Sequence, residues 1–139
     1  MKESRNQLNT SSGTSPNNDK MAANALSTAS AAVTQAYEAS ESLLVAQVAA
    51  ANESQNTVVA DWVKKAAAAY SSADSYAAVA SAAASDLQVK SGDAKAVASG
   101  SQRIASAAKM VGAQVDLAKA HTSAAVSATD QQATAPLAK

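Results

Sequence analysis

His121 is the only histidine of the chain, and there is no cysteine. A metal site or a general base needs partners at ligand or hydrogen-bond spacing. The helical neighbours of His121 are Leu117, Ala118, Ala124 and Ala125, so it reads as an ordinary surface or half-buried histidine. Serines are abundant, yet neither a G-x-S-x-G turn nor a Ser-His-Asp set is present. The carboxylates are scattered singly, with Asp61 and Lys65, and Asp86 and Lys90, spaced as solvated i,i+4 pairs. Gly13, Gly92, Gly100 and Gly112 do not form a phosphate-binding loop. No catalytic, cofactor-binding or metal-ligating residues are predicted, and the chain is not expected to be an enzyme.

The aromatic residues have a different use. Trp62, Tyr37 and Tyr70 fall on an apolar stripe that repeats every eleven residues from Ala22 to Ala84, through Leu26, Val33, Leu44, Val48, Val58 and Val59. Only Ser40, Gln47, Gln55 and Ser81 interrupt it. Eleven residues in three turns keep such a stripe nearly straight along a helix. Aromatic side chains on it are expected to anchor a helix interface rather than stack on bases, because only Lys64 and Lys65 lie near. Leu43, Val45, Val63, Tyr76 and Val79 lie off the stripe and imply a second apolar face.

The elements that carry the stripe are helices. Residues 1–18 are polar and contain Gly13 and Pro16, which predicts a disordered tail with Asn18 or Asp19 as the first cap. From Asp19 to Ser91 there is neither Gly nor Pro. The expected fold is all-α: a long Ala-rich helical hairpin with one helix over about 19–87, a turn over 88–93 at Lys90-Ser91-Gly92-Asp93, and a second helix over about 94–128. Residues 19–129 form the helical domain and 130–139 a second disordered tail. The alternative is a three-helix bundle broken at the polar cluster Asn52–Asn56; Ser71–Ser75 is a weaker break.

Composition limits the core and the partners. The chain has 139 residues, 47% hydrophobic, with no Phe and one Trp. Alanine dominates, and a buried methyl contributes roughly 0.8 kcal/mol against about 1.5–3 for Val or Leu. Eleven basic and eleven acidic residues cancel, which removes the usual attraction to nucleic acid or anionic membrane. The distribution is uneven. Residues 21–63 hold Glu38, Glu41, Glu53 and Asp61 without a Lys or Arg, whereas the second helix carries Arg103, Lys109 and Lys119. There is no apolar run of about eighteen residues and no apolar leader segment, so a cytoplasmic protein is expected.

The segment Ser40 to Tyr70 resembles the central helix of the RebB-type "killing trait" proteins, which build bacterial refractile bodies, or R-bodies. The resemblance rests on Ala49-Ala50-Ala51-Asn52, Gln55-Asn56 and the closing Tyr70. Trp62 and the pair Lys64-Lys65 depart from the pattern, and residues 93–139 carry nothing specific to that family. The resemblance implies a small helical subunit that polymerises into a rolled ribbon, extending at acid pH and able to rupture membranes. The alternative is an amphipathic helical coat protein of a membrane or storage granule, similar to phasins.

Both readings place function on a surface. In a hairpin, about half of the long helix would lack a partner, and self-assembly would cover it. The expected assembly interface is Val33, Tyr37, Leu44, Val48, Val59, Trp62 and Tyr70, with Ile104, Val111 and Val115 of the second helix. The partner is the chain itself, as homo-oligomer or polymer, with a related helical protein as the other candidate. Membrane contact is left open but is not indicated at neutral pH. The acidic segment of one subunit is expected to meet the basic helix of the next, head to tail.

Overall fold

The computed structural model describes residues 16–138, with side chains for 17–129. Three helices make up this part of the chain: α1 (Pro16–Asn52), α2 (Thr57–Val89) and α3 (Ala94–Ala138). The fold is all-α, and the three-helix alternative replaces the hairpin with its single helix over 19–87. The break falls at the polar cluster. Glu53 N–H donates to the Ala50 carbonyl at 3.1 Å and Asn56 N–H to that of Glu53 at 2.9 Å, which closes the turn. Asn56 then caps α2, its Oδ1 accepting from Val58 N–H at 3.1 Å and Val59 N–H at 3.2 Å. Ser71–Ser75 stays helical.

The remaining boundaries follow from similar local causes. Asp93 Oδ1 accepts from Lys95 N–H at 3.0 Å and Ala96 N–H at 3.3 Å, so α3 begins at the expected cap. Helix α1 starts earlier than expected, at Pro16, whose missing N–H costs nothing in a first turn. Asn18 is therefore no cap. It is buried, and its Nδ2 donates to the Ser91 carbonyl at 2.9 Å, tying the start of α1 to the α2–α3 turn. Helix α3 continues past 128 to Ala138, through most of the predicted tail over 130–139. Of the predicted tail over 1–18, residues 1–15 lie outside the described residues.

The buried positions repeat every seven residues, not every eleven. In α1 they are Asn18, Ala25, Ala32, Ala39 and Ala46, with Ala22, Ala29, Ala36 and Leu43 between them. In α2 they are Val59, Ala66, Ala73, Ala80 and Leu87, and in α3 Val97, Ile104, Val111, Ala118 and Ala125. This is the alternating three-and-four spacing of a coiled-coil seam. Continuing the seam of α1 would bring residues 57 and 60 inward, yet Val59 is the buried one. The seam slips across the turn that reverses the chain.

The contacts form two compact units, each taking one segment from every helix: residues 16–33 with Tyr76–Lys109, and Thr34–Ser75 with residues 110–138. In the first, Leu87 lies against Gly100, where an added Cβ would come within 3.1 Å of the leucine Cδ1. In the second, Ala46, Val59, Ala125 and Ala128 form a cluster flanked by Ala49, Ala50, Trp62 and Val63.

Asn56 supplies a test of the break. Its Nδ2 is buried without a hydrogen-bond partner, so the residue serves through its oxygen alone. Asn56→Ala should lower unfolding stability by about 1 kcal/mol. Asn56→Ser keeps an acceptor and drops the unpaired amide, and should hold or raise stability in urea denaturation.

Candidate functional site

The slip from an eleven- to a seven-residue frame redistributes the expected interface. Val59, Ile104, Val111 and Val115 are buried within the chain, which corrects their assignment to an intermolecular surface. Trp62 and Tyr70 are half-buried. Val33, Tyr37, Leu44 and Val48 remain exposed. The argument from an unpartnered half-helix falls with the hairpin, because the alanine face of α1 is covered.

What α1 exposes instead is its bulk. Within the unit of Thr34–Ser75 and residues 110–138, Tyr37 is 67% exposed, Leu44 and Val48 60%, and Val45 54%. The small residues Ala36, Ala39 and Ala46 of the same helix face inward, joined by Leu43. Gln47 and Gln55, which interrupt the eleven-residue stripe, are exposed. Of the second apolar face read from Leu43, Val45, Val63, Tyr76 and Val79, Leu43 is buried and Val63 and Tyr76 are half-buried, while Val45 and Val79 are exposed.

On α3 of this unit the second buried row shifts by one residue. Val115 and Thr122 are buried, while Gln114 and His121 stay half-buried. Their polar groups would cost too much fully enclosed without partners. Thr122 is satisfied, since its Oγ1 donates to the Ser42 carbonyl of α1 at 3.1 Å. A shallow groove of about 250 Å³ opens between α2 and α3, lined by Lys65, Ala68, Ala69, Ser72, Gln114, Leu117 and His121. The His121 ring stacks on Trp62 with centroids 5.5 Å apart and 29° between planes. The Lys65 ammonium lies 4.4 Å from the Trp62 ring centroid, a cation–π contact.

The ion pairs change the charge pattern. Lys119 Nζ meets Glu38 Oε2 at 3.3 Å within one chain, so this acid and base, expected to join subunits, pair across α3 and α1 instead. Asp86 and Lys90 form the expected i,i+4 pair at 3.4 Å. Both pairs are half exposed and contribute little, ~0–1 kcal/mol.

The other unit has a cleft of about 530 Å³ between α1 and α3, lined by Asn17, Lys20, Met21, Asn24, Ala25, Thr28, Ser101 and Ala105. Its lining holds no His, Asp or Glu, and includes Ser101, whose Oγ is buried without a hydrogen-bond partner. Among the described residues no group of His, Cys, Asp or Glu could hold a metal ion, and no helix is long and apolar enough to cross a membrane.

Compared with protein-family models, curated proteins and solved structures, the chain matches none.

Core and surface separate cleanly by mutation. Ile104→Ala should cost about 2–5 kcal/mol, whereas Leu44→Ala should change the stability of the isolated chain by less than about 0.5 kcal/mol. Urea unfolding at low protein concentration measures both.

Proposed function

We propose that this chain is a self-assembling structural protein, a helical subunit of a polymer or ribbon of the R-body type. The supporting observation is the outward face of α1, where Tyr37, Leu44, Val45 and Val48 stand exposed on one unit. A row of exposed large apolar side chains of this kind normally marks a contact surface. Nothing in the fold needs these side chains outside, since the alanines opposite already fill the intramolecular seam. The likeness of residues 40–70 to RebB-type proteins points the same way.

The magnitudes fit an assembly of many weak contacts. Covering these side chains would contribute roughly 1–2 kcal/mol each, against an association cost of about 4–15 kcal/mol. One such contact is weak and concentration-dependent, and a polymer gains persistence by repeating it. The coat-protein reading uses the same face. It is less favoured because Glu41 lies within that face with Glu38 at its edge and residues 21–63 carry no base, whereas surface-seeking helices set bulky apolar residues against basic ones.

Size-exclusion chromatography with light scattering tests the reading. The protein should give oligomers or polymers that grow with concentration, and Leu44→Glu with Val48→Glu should return it to a folded monomer. A wild-type chain that stays monomeric at high concentration yet floats with anionic liposomes would transfer the face to the coat-protein role.

A further inference from the structure

We propose that copies of this chain join ridge into groove: the outward face of α1 around Glu41 and Leu44 of one copy seats in the α2–α3 groove of the next. The inference rests on the self-assembly reading and specifies its two faces.

Both features belong to the same unit, and they lie on opposite sides of it. The groove is walled by Lys65, Ser72, Gln114 and His121 with no residue of α1. Tyr37, Leu44 and Val48 are the exposed residues of α1, on the side away from its buried alanines. In three helices packed around one seam, a groove between two of them faces away from the third. A patch on one side and its complement on the other cannot pair symmetrically in a closed dimer. Such contacts repeat head to tail and generate rings or open filaments.

Shape and charge both match. The ridge is bulky, with Tyr37 and Leu44 one heptad apart and Val48 one turn further, while the α2 side of the groove includes the small residues Ala68, Ala69 and Ser72. Bulk on one helix against small residues on another is an arrangement in which side-chain rows interdigitate. Leu117, 44% exposed, supplies an apolar wall. The groove presents donors and no carboxylate: the Lys65 ammonium, the Gln114 amide and the ring N–H of His121, which an imidazole offers in either protonation state. The ridge offers an acceptor, because Glu38 is engaged by Lys119 of its own chain and Glu41, exposed one turn before Val45, carries the remaining charge of that face.

Complementation between two blocked variants tests this pairing. A ridge variant (Leu44→Glu, Val48→Glu) keeps its groove, and a groove variant (Lys65→Glu, Leu117→Glu) keeps its ridge. All four positions are exposed, and circular dichroism checks that both variants fold. Each should be monomeric alone, and an equimolar mixture should give a one-to-one dimer that does not grow. Trp62, the only tryptophan, borders the groove through His121 and should change emission in the mixture alone. Single reversals Glu41→Lys or Lys65→Glu should raise the assembly midpoint by up to about fivefold, and both together should recover it. A groove variant that assembles like wild type, or a mixture that stays monomeric, overturns the ridge-into-groove pairing while leaving self-assembly standing. A wild-type chain monomeric at every concentration removes self-assembly itself.

Discussion

The close approach of three helices through alanine is the constraint on which the rest of the structure depends. Along α1 nearly every buried position is an alanine, with Asn18 and Leu43 the exceptions. Small side chains let neighbouring backbones come close, and alanine is also the best helix former. The cost is depth. With about 0.8 kcal/mol per buried methyl, the seam needs bulk from elsewhere. Val59 and Leu87 of α2, and Val97, Ile104 and Val111 of α3, supply it.

Such a seam fixes partners only weakly by shape, because one alanine row resembles another after a slip of a heptad. Polar anchors resolve the register. Asn18 reaches the Ser91 carbonyl, and Thr122 reaches that of Ser42, each joining different parts of the chain at one height. The fit of Leu87 against Gly100 adds a steric mark that no alanine pair would provide. In the unit of Thr34–Ser75 and residues 110–138, the polar residues Gln114 and His121 stay half-buried and line the α2–α3 groove.

Much of the architecture was legible in the sequence. The turn at Lys90–Asp93 and its Asp93 cap carried clear chemistry, and Asn52–Asn56 was visible as a break. The apolar residues of α3 were found, though as an interface rather than a core. The frame of α1 was misread because bulk outweighed alanine in the pattern: Val33, Tyr37, Leu44 and Val48 mark an eleven-residue stripe, while Ala32, Ala39 and Ala46 mark the seam that is buried. Hydrophobicity ranks a tyrosine or leucine as the inward residue. Close helix packing reverses that ranking. The stacking of His121 on Trp62 was not legible, since the two residues are far apart in the chain and each looked unremarkable beside its own helical neighbours.

The central claim is that α1 faces inward with its alanines and outward with its bulk. The chain has no cysteine, so single cysteines can report each position by their rate of thiol labelling. Ala39→Cys and Ala46→Cys, at sites with no exposed surface, should label only on unfolding. Leu44→Cys and Val48→Cys should label at once at low protein concentration. Protection of Leu44→Cys and Val48→Cys in the monomer, with rapid labelling of Ala39→Cys and Ala46→Cys, would restore the eleven-residue frame and contradict the account.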